Sequence, residues 1–272
     1  MSEQKKLEDT TIVIQGRVDP ECVKHMVHWY RSDIIISTWE DENLSECGDL
    51  EDVQIVRSPK PTEHLDPLNA MFQFNSTING LSKCETKYAI KMRGDEYYSN
   101  LEKVVDIIKS DDRIHCLPIF MPEFRVKPFC IGDHFIAGRS DEIYLMFEWA
   151  KEWWTTRPDL RIPKLSDDHM HVPECVLGAN YVYMRSKILM IPEMMERFFS
   201  ILPLEMVKDY RITWNNSIHH GDGAKRHYYN DFDPATDGRG SITDINLVNT
   251  SNIARNLPKA KMVRIKLNGV KK

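Results

Sequence analysis

The chain has 272 residues, of which 42% are hydrophobic and 28% charged, a composition ordinary for a globular protein with a sizeable core. The formal net charge of −5 gives no reason to expect a polyanionic partner, so nucleic acid is not an expected ligand. The six cysteines lie far apart and form no CxxC pair, which argues against a zinc knuckle and against a disulfide framework.

Neither a targeting segment nor a membrane-spanning segment is predicted. The N-terminal stretch Met1–Asp9 is charged and lacks the apolar core of a secretory leader. No window approaches the roughly eighteen consecutive apolar residues that a transmembrane helix needs. We therefore expect a cytoplasmic protein, located in a bacterium or, if the gene is viral, in the cytoplasm of the host. The oligomeric state stays open, with a homodimer as one option.

Strand and helix patterns alternate through the first third of the chain. Runs of β-branched residues predict strands, and apolar residues at helical spacing predict helices. In chain order the predicted elements are a strand at Thr11–Gln15, a helix from Asp19-Pro20, strands at Asp33–Thr38 and Val53–Val56, a helix at Pro67–Leu81 and a strand at Tyr88–Met92. This order is typical of an α/β fold with a mostly parallel sheet covered on both faces.

Polar residues and glycines follow three of these predicted strands. Ligands of open parallel sheets bind beyond the carboxyl ends of the strands. Gly16, Trp39–Asp41 and Arg93–Glu96 all fall at such ends. The sequence therefore predicts one site at that edge of the sheet.

The remainder of the chain is less regular. Its predicted elements are a helix around Leu101–Ile108, strands at Arg113–Phe120 and Phe129–Ala137, helices at Asp141–Trp154 and Glu193–Leu202, and a long glycine-containing loop after Trp214. We predict a single domain over residues 1–248. Residues 249–272 form a basic tail, in which Met262–Leu267 alternates like an edge strand.

Several familiar catalytic motifs are absent from the sequence. No GxGxxG follows the first strand, and neither GxxxxGK[ST] nor GxSxG occurs. Dinucleotide-dependent enzymes, P-loop phosphotransferases and nucleophile-elbow hydrolases are therefore poorly supported. Carboxylates and histidines remain as the residues that would carry chemistry.

Asp95 and Glu96 follow the fourth strand, beside Lys91 and Arg93. Carboxylates at a strand end can hold Mg²⁺ or Mn²⁺, which bridges a diphosphate and offsets the charge of the leaving group. Arg93 can add a bidentate phosphate contact. The alternative is a surface turn stabilised by an Arg–Asp pair.

Two further acids stand at element boundaries. Glu174 precedes an apolar run and is either a cap partner for a helix or a general base that takes a proton from an acceptor hydroxyl. Asp133, next to His134, either faces the acceptor or ties down its loop. The residues alone do not separate these roles.

A second polar cluster would support a different chemistry. Asp167, Asp168, His169 and His171 are spaced so that a metal site is an alternative to a polar loop, and such a site would suit a metal-dependent hydrolase. His219, His220 and His227 lie in the glycine-rich late segment, where one of them is a candidate metal ligand.

Four segments in order resemble the WavE lipopolysaccharide-synthesis family, GT-A-like glycosyltransferases of surface glycans. They are Thr11–Gly16 (TIVIQG), Ser37–Glu40 (STWE), Asn75–Leu81 (NSTINGL) and Tyr88–Asp95 (YAIKMRGD), and Gly132–Gly138 and Pro173-Glu174 are similar to later family signatures. The resemblance covers about residues 11–185. It implies a catalytic domain with a GT-A-like fold and a Rossmann-like central sheet, and a nucleotide sugar held over that sheet. The nucleotide-sugar half of this domain is then expected at about 10–125 and the acceptor half at about 126–248.

The resemblance also implies roles for individual residues. The donor site it indicates comprises Gln15, Gly16, Arg17, Trp39, Arg93 and Asp95. Arg93-x-Asp95 replaces the usual Asp-x-Asp, so Asp95 is expected to be the only direct carboxylate ligand of Mn²⁺ or Mg²⁺. Glu174 is similar in placement to the catalytic base of inverting relatives.

We therefore expect a glycosyltransferase that moves a sugar, as a UDP-linked pentose or hexose, to a hydroxyl of an oligosaccharide or glycan acceptor with inversion. Two alternatives stay open at this point. One is the hydrolase built on Asp167–His171, and the other is a non-catalytic glycan-binding protein that keeps the fold.

Overall fold

The computed structural model describes residues 5–31, 34–62, 69–118, 129–156, 173–187, 193–207, 209–214 and 217–222. The first half of the chain folds as its patterns predict. Its elements are β1 (Thr10–Gln15), α1 (Pro20–Tyr30), β2 (Ile34–Trp39), β3 (Gln54–Ser58), α2 (Ala70–Leu81) and β4 (Tyr88–Arg93). Residues 67–68, predicted to begin the second helix, lie outside the described part.

The second half follows the predictions less closely. Its elements are β5 (Tyr97–Tyr98), α3 (Leu101–Ser110), β6 (Ile114–Cys116), β7 (Phe135–Arg139), α4 (Ser140–Thr156), α5 (Pro173–Ser186), α6 (Glu193–Phe198), β8 (Phe199–Ile201), a short 3₁₀ helix (Leu204–Met206), β9 (Asp209–Trp214) and β10 (Ser217–Asp222). The predicted tail, residues 249–272, and the boundary at 248 lie outside the described residues.

Four predicted elements were wrong in extent or type. The strand predicted over Arg113–Phe120 spans only Ile114–Cys116 among the described residues, which reach Pro118 there. The strand predicted from Phe129 begins only at Phe135. The helix predicted over Glu193–Leu202 ends at Phe198, because Phe199–Ile201 pairs in parallel with β6 and the ladder outweighs helical propensity. The predicted loop after Trp214 contains β10, which pairs along its whole length with β9.

Seven strands form one sheet in the order β3-β2-β1-β4-β7-β6-β8. The strands β3, β2, β1 and β4 are mutually parallel, β7 runs antiparallel to both of its neighbours, and β8 is parallel to β6. A second sheet, β10-β9-β5, is antiparallel. The predicted α/β architecture with a mostly parallel central sheet is confirmed, and it is consistent with a GT-A-like fold.

Both faces of the central sheet are buried, and the alternation within β1 shows how. Ile12 and Ile14 pack in the core that contains α1 and α3, whereas Val13 packs in the opposite core with α2, α4 and α5. Successive side chains of a strand point to opposite faces, so a strand covered on both sides is apolar throughout. Among the helices that the structure describes, none has the length and apolarity needed to cross a membrane.

The strand order also locates the expected binding crevice. From β1 the chain moves outward through β2 to β3, then returns to place β4 on the other side of β1. Neighbouring connections therefore leave in opposite directions between β1 and β4, which is the switch point where ligands of open α/β sheets bind. Gln15 and Arg93, the last residues of these two strands, are in register with each other.

Candidate functional site

The chain segments that leave β1, β2 and β4 are held together by backbone hydrogen bonds. The Gly16 N–H donates to the Ser37 carbonyl at 2.9 Å, and the Gly94 N–H donates to the Gln15 carbonyl at 2.9 Å. The Asp19 N–H donates in turn to the Gly94 carbonyl at 2.8 Å. The three exits therefore form one continuous edge above the switch point.

Glycine is required in this edge for two different reasons. Gly16 has φ +86°, a left-handed backbone that other residues adopt only with strain. At Gly94 the constraint is space, because a Cβ there would lie 2.5 Å from the Arg17 carbonyl oxygen. The β1 exit can approach β4 this closely only because residue 94 has no side chain.

Helix α1 starts directly at this edge. The Asp19 side chain caps the helix: it accepts from the Glu21 N–H at 2.9 Å and from the Cys22 N–H at 3.4 Å, and Pro20 occupies the first turn. Arg211 of β9 donates to the other Asp19 oxygen at 2.6 Å. Although burial alone would raise it, the hydrogen bond from Arg211 holds the pKa of Asp19 below its ordinary value.

The loop after β2 is fixed by one arginine. Arg57 Nη1 donates to the carbonyls of Trp39, Glu40 and Glu42 at 3.0, 3.1 and 2.9 Å. The Glu42 carboxylate accepts from the Val18 N–H at 3.2 Å, which joins this loop to the β1 exit. The β2 exit is therefore shaped before any ligand binds.

Four of the predicted donor-site residues lie at this edge with different exposure. Gln15 is 7% exposed, and its Oε1 accepts from Ser76 Oγ of α2 at 2.7 Å. Trp39 is 3% exposed and packs edge-on against Phe72. Arg17 is exposed, and no ion pair joins it to another described residue. Of these predicted contacts, the Arg17 side chain and the Gly16 backbone are the accessible ones.

Arg93 and Asp95 form a two-pronged ion pair at the end of β4. Arg93 Nε donates to Asp95 Oδ1 at 2.9 Å, and Arg93 Nη2 donates to Asp95 Oδ2 at 2.7 Å. Burial disfavours the charged guanidinium, but Asp95 and Glu96 outweigh it and raise the pKa of Arg93. The side chains are 33% and 27% exposed, so solvent reaches the pair.

The described residues do not by themselves fit the predicted metal site. Both Asp95 oxygens already accept from Arg93. Over the described ranges, no group of three or more His, Cys, Asp or Glu side chains is arranged to hold a metal ion. A divalent ion at Asp95 would have to replace the guanidinium and take further ligands, so we derive no chemical step through it.

Glu96 turns into the protein rather than outward. β4 ends at Arg93, the chain turns at Gly94 and Asp95, and Glu96 is 1% exposed. Its carboxylate lies 2.5 Å from His134 Nδ1 and accepts from Tyr98 Oη at 2.7 Å. Burial would raise the pKa of Glu96, but the charge and hydrogen bond of His134 lead the contacts that hold it below the ordinary value.

Asp133 and His134 reach this edge because β7 is antiparallel to β4. An antiparallel strand begins where its neighbour ends, and Phe135 pairs with Met92. His134 Nε2 lies 4.0 Å from Asp133 Oδ1, so Glu96, His134 and Asp133 form a line from the interior to the surface. The Asp133 side chain is 14% exposed at its outer end.

Two further side chains hold Asp133 from α2 and β4. Gln73 Nε2 donates to Asp133 Oδ2, and Lys91 Nζ donates to the Asp133 carbonyl. Lys91 is fully buried, and its ammonium lies 5.7 Å from the centre of the Phe147 ring. Burial lowers the pKa of Lys91 to about 8, and the nearby Asp133 carboxylate opposes that shift only in part. Asp133 is therefore presented by a rigid frame.

Glu174 lies inside the first turn of α5, which begins at Pro173, rather than before the helix as predicted. Its carbonyl accepts from the Ile131 N–H at 3.4 Å, two residues before Asp133. Gly178 lets α5 pack closely against the segment before Asp133, because a Cβ at residue 178 would lie 2.0 Å from the Phe129 carbonyl oxygen. The two predicted catalytic acids thus stand on neighbouring segments, and the Glu174 side chain is partly exposed.

Comparison with known proteins assigns the chain to a family. The family model for WavE lipopolysaccharide synthesis matches residues 11–159, more than half of the sequence. The chain belongs to the WavE lipopolysaccharide synthesis family. No curated protein matches it. The matched range contains the three strand exits, Asp133 and His134, and membership of the family implies involvement in lipopolysaccharide synthesis.

Sequence reasoning missed three parts of the site in this WavE protein. The roles of Gln73, Lys91 and His134 become visible only when α2, β4 and β7 are assembled. One signal was present: a lysine inside the apolar strand YAIKM is expensive to bury and demands a partner. Asp167, Asp168, His169, His171 and His227 lie outside the described residues, whereas His219 and His220 belong to β10.

Proposed function

We propose that this WavE protein is a glycosyltransferase that moves a sugar from a nucleotide-sugar donor, a UDP-linked pentose or hexose, to a hydroxyl of a glycan acceptor. The observation that carries the proposal is the joined edge above the switch point, where Gln15 and Arg93 stand side by side. Such an edge offers the guanidinium groups of Arg93 and the exposed Arg17 to a diphosphate. The family supports glycan synthesis as its setting.

In the proposed transfer, an acceptor hydroxyl attacks the anomeric carbon from the face opposite the diphosphate. A carboxylate takes the hydroxyl proton while the new C–O bond forms. The bond from the anomeric carbon to the diphosphate oxygen breaks, and its electron pair leaves with the nucleoside diphosphate. Inversion follows from this single displacement.

Glu174 is our choice of general base, with Asp133 orienting the acceptor. Glu174 is partly exposed at the start of α5. Asp133 is tied by Gln73 and Lys91, and His134 stands close to its carboxylate, which suits a residue that must hold a fixed direction. A shared acceptor is supported by the backbone hydrogen bond that joins their two segments.

Arg93 and Arg17 are the proposed contacts for the leaving diphosphate. Arg93 keeps its guanidinium at the switch point, and Arg17 is exposed on the loop that Gly94 lets approach. Guanidinium groups stabilise the negative charge that develops as the glycosidic bond breaks. Binding of Mn²⁺ or Mg²⁺ at Asp95 stays a separate prediction, on which the proposed role of the two arginines does not depend.

The test is release of nucleoside diphosphate from a panel of nucleotide sugars with oligosaccharide acceptors, in EDTA and with Mn²⁺. With the productive pair, we expect Glu174→Gln to lower turnover by about 10²–10⁴-fold, the usual contribution of a general base. Asp133→Asn is expected to raise KM for the acceptor and to lower turnover less. Asp106→Asn is the matched control, because Asp106 is exposed on α3.

If Glu174→Gln and Asp133→Asn both kept wild-type turnover, the proposed mechanism would be wrong. Binding of nucleotide sugars without any turnover would instead favour a non-catalytic glycan-binding protein. Binding of a transition metal without a nucleotide, lost in His169→Ala, would favour the hydrolase.

A further inference from the structure

A polar cavity lies at the end of the strands opposite the candidate site. It has a volume of about 360 Å³, within the range of small-molecule sites, and four arginines line it: Arg113, Arg139, Arg185 and Arg197. Arg139 is in register with Tyr88, where β4 begins, whereas the candidate site lies where β4 ends. Five residue steps of about 3.3 Å separate the two ends by roughly 17 Å. The cavity is therefore distinct from the candidate site.

One of the four arginines serves the fold. Arg113 donates through Nε and Nη2 to the Asp111 carboxylate, with a shortest distance of 2.5 Å, and through Nη1 to the Glu196 carbonyl at 3.1 Å. All of its nitrogens are engaged. The Asp111 hydrogen bond outweighs burial and raises the pKa of Arg113. The Arg113–Asp111 pair therefore forms a fixed part of the cavity wall.

The other three arginines keep donors to spare. Arg139 uses only Nε and Nη2, both on Asp141, and Arg185 uses only Nη2, on Glu142 at 3.2 Å. The Arg197 guanidinium lies 5.5 Å from the centre of the Phe198 ring. Among the residues that the structure describes, no acceptor engages Arg139 Nη1, Arg185 Nη1 or the Arg197 guanidinium.

The acids of the wall orient these arginines without using all of their hydrogen-bonding capacity. Tyr181 Oη donates to Glu142 Oε2 at 2.6 Å, and this leaves Glu142 Oε1 for Arg185. The Tyr181 ring also packs edge-on against Phe198 and Phe199. Asp141 and Glu142 thereby hold Arg139 of β7 and Arg185 of α5 at the space that the exposed Arg197 of α6 also lines, although like charges repel one another.

We propose that this cavity binds an oxyanion, a carboxylate or phosphate group carried by a sugar or another small molecule. The planar guanidinium forks match both groups, since each fork can offer parallel N–H donors to two oxygens. The bound anion replaces solvent at the remaining donors of Arg139, Arg185 and Arg197. The four arginines of the lining outnumber its three acids, Asp111, Asp112 and Glu142, so the cavity keeps a net positive charge. The inference is independent of the proposed sugar transfer.

The test is calorimetric titration of the full chain with inorganic phosphate, glucuronate and glucose. We expect phosphate, glucuronate or both to bind, and Arg185→Gln/Arg197→Gln to weaken that binding at least 10-fold. Phosphate binding alone would identify a phosphorylated ligand, and glucuronate binding alone a carboxylated one. Lys103→Gln, which removes an exposed charge on α3, is the matched control and should change affinity less than about twofold.

Arg17→Gln separates this cavity from the candidate site and should leave the affinity unchanged. A second measurement on the wild type guards against a misfolded variant: the anion should slow hydrogen exchange in α5 and α6 but not in α1. The proposal is overturned if neither anion binds at about 10 mM, if glucose binds as tightly as glucuronate, or if Arg17→Gln weakens binding as much as the double variant.

Discussion

Replacing Gly94 with alanine tests the joined strand exits directly. The added Cβ would lie 2.5 Å from the Arg17 carbonyl oxygen and 3.1 Å from Val18 Cα, both of them backbone atoms that no side-chain rotation can move. The β1 exit must retreat by about 0.5 Å to reach even the 3.0 Å that real Cβ contacts require. That movement strains the hydrogen bonds from Gly94 to Gln15 and from Asp19 to Gly94.

The expected cost can be estimated from these contacts. Two weakened backbone hydrogen bonds contribute up to about 2 kcal/mol, and crowding in a packed region roughly 1–3 kcal/mol. We expect Gly94→Ala to lower the free energy of unfolding by about 3 kcal/mol. The nucleotide sugar should also bind more weakly, because Arg17 and Arg93 move apart.

Gly16→Ala is the matched control for this prediction. Both substitutions reduce the entropy of the unfolded chain equally, and that effect cancels in the comparison. At Gly16 nothing lies within 4 Å of an added Cβ, but φ is +86°, so the cost is conformational and about 1–2 kcal/mol. Urea denaturation at equal m-values measures both. A Gly94→Ala variant within about 0.5 kcal/mol of wild type, or less destabilised than Gly16→Ala, would refute the argument.

Two pH dependences follow from the buried charges. The folded state holds the pKa of Glu96 below 4.5, so its contribution to stability is present above pH 4.5 and is lost as the pH falls further. Glu96→Gln should therefore cost roughly 3 kcal/mol at pH 7 and progressively less in acid, measured as the difference in urea unfolding from wild type, and a pH-independent difference would contradict this. Lys91 has a folded pKa of about 8 against 10.5 unfolded, so its charge destabilises the folded state below pH 8 and the penalty fades as the pH rises to 10.5. The stability of wild type relative to Lys91→Met should rise across that window, and a constant difference would refute the assignment.

The fold could be predicted from local patterns wherever those patterns agree with the final pairing. In β1 and β4 the apolar runs are buried on both faces, as expected for central strands of a parallel sheet, and the two strands do pair in parallel. The prediction failed at Phe199–Ile201, where the strand exists only because β6 offers it a partner 85 residues earlier. The pairing of two distant segments cannot be predicted from the local sequence of either one.

The same limit governs the candidate site. Arg93 and Asp95 were predicted together because they are neighbours in the chain and end a strand. The Glu96–His134 pair was not predicted, since 38 residues and an antiparallel strand separate its members. The position of Asp133 is likewise set by Gln73 and Lys91, which lie on two other elements.

The Arg93–Asp95 pair leads to a final prediction that separates two roles of Asp95. A diphosphate that binds the Nε/Nη2 side of the Arg93 guanidinium must compete with Asp95, because the Asp95 carboxylate already accepts from both of these donors. In EDTA, Asp95→Asn should therefore bind UDP about fivefold more tightly than wild type, whereas Arg93→Gln should bind it more weakly. With Mn²⁺ present, a metal-ligating Asp95 would reverse the first result, since the variant would lose a ligand of the ion. Equal affinity of Asp95→Asn and wild type for UDP under both conditions would exclude competition and metal ligation alike, and would leave Asp95 as a structural partner of Arg93.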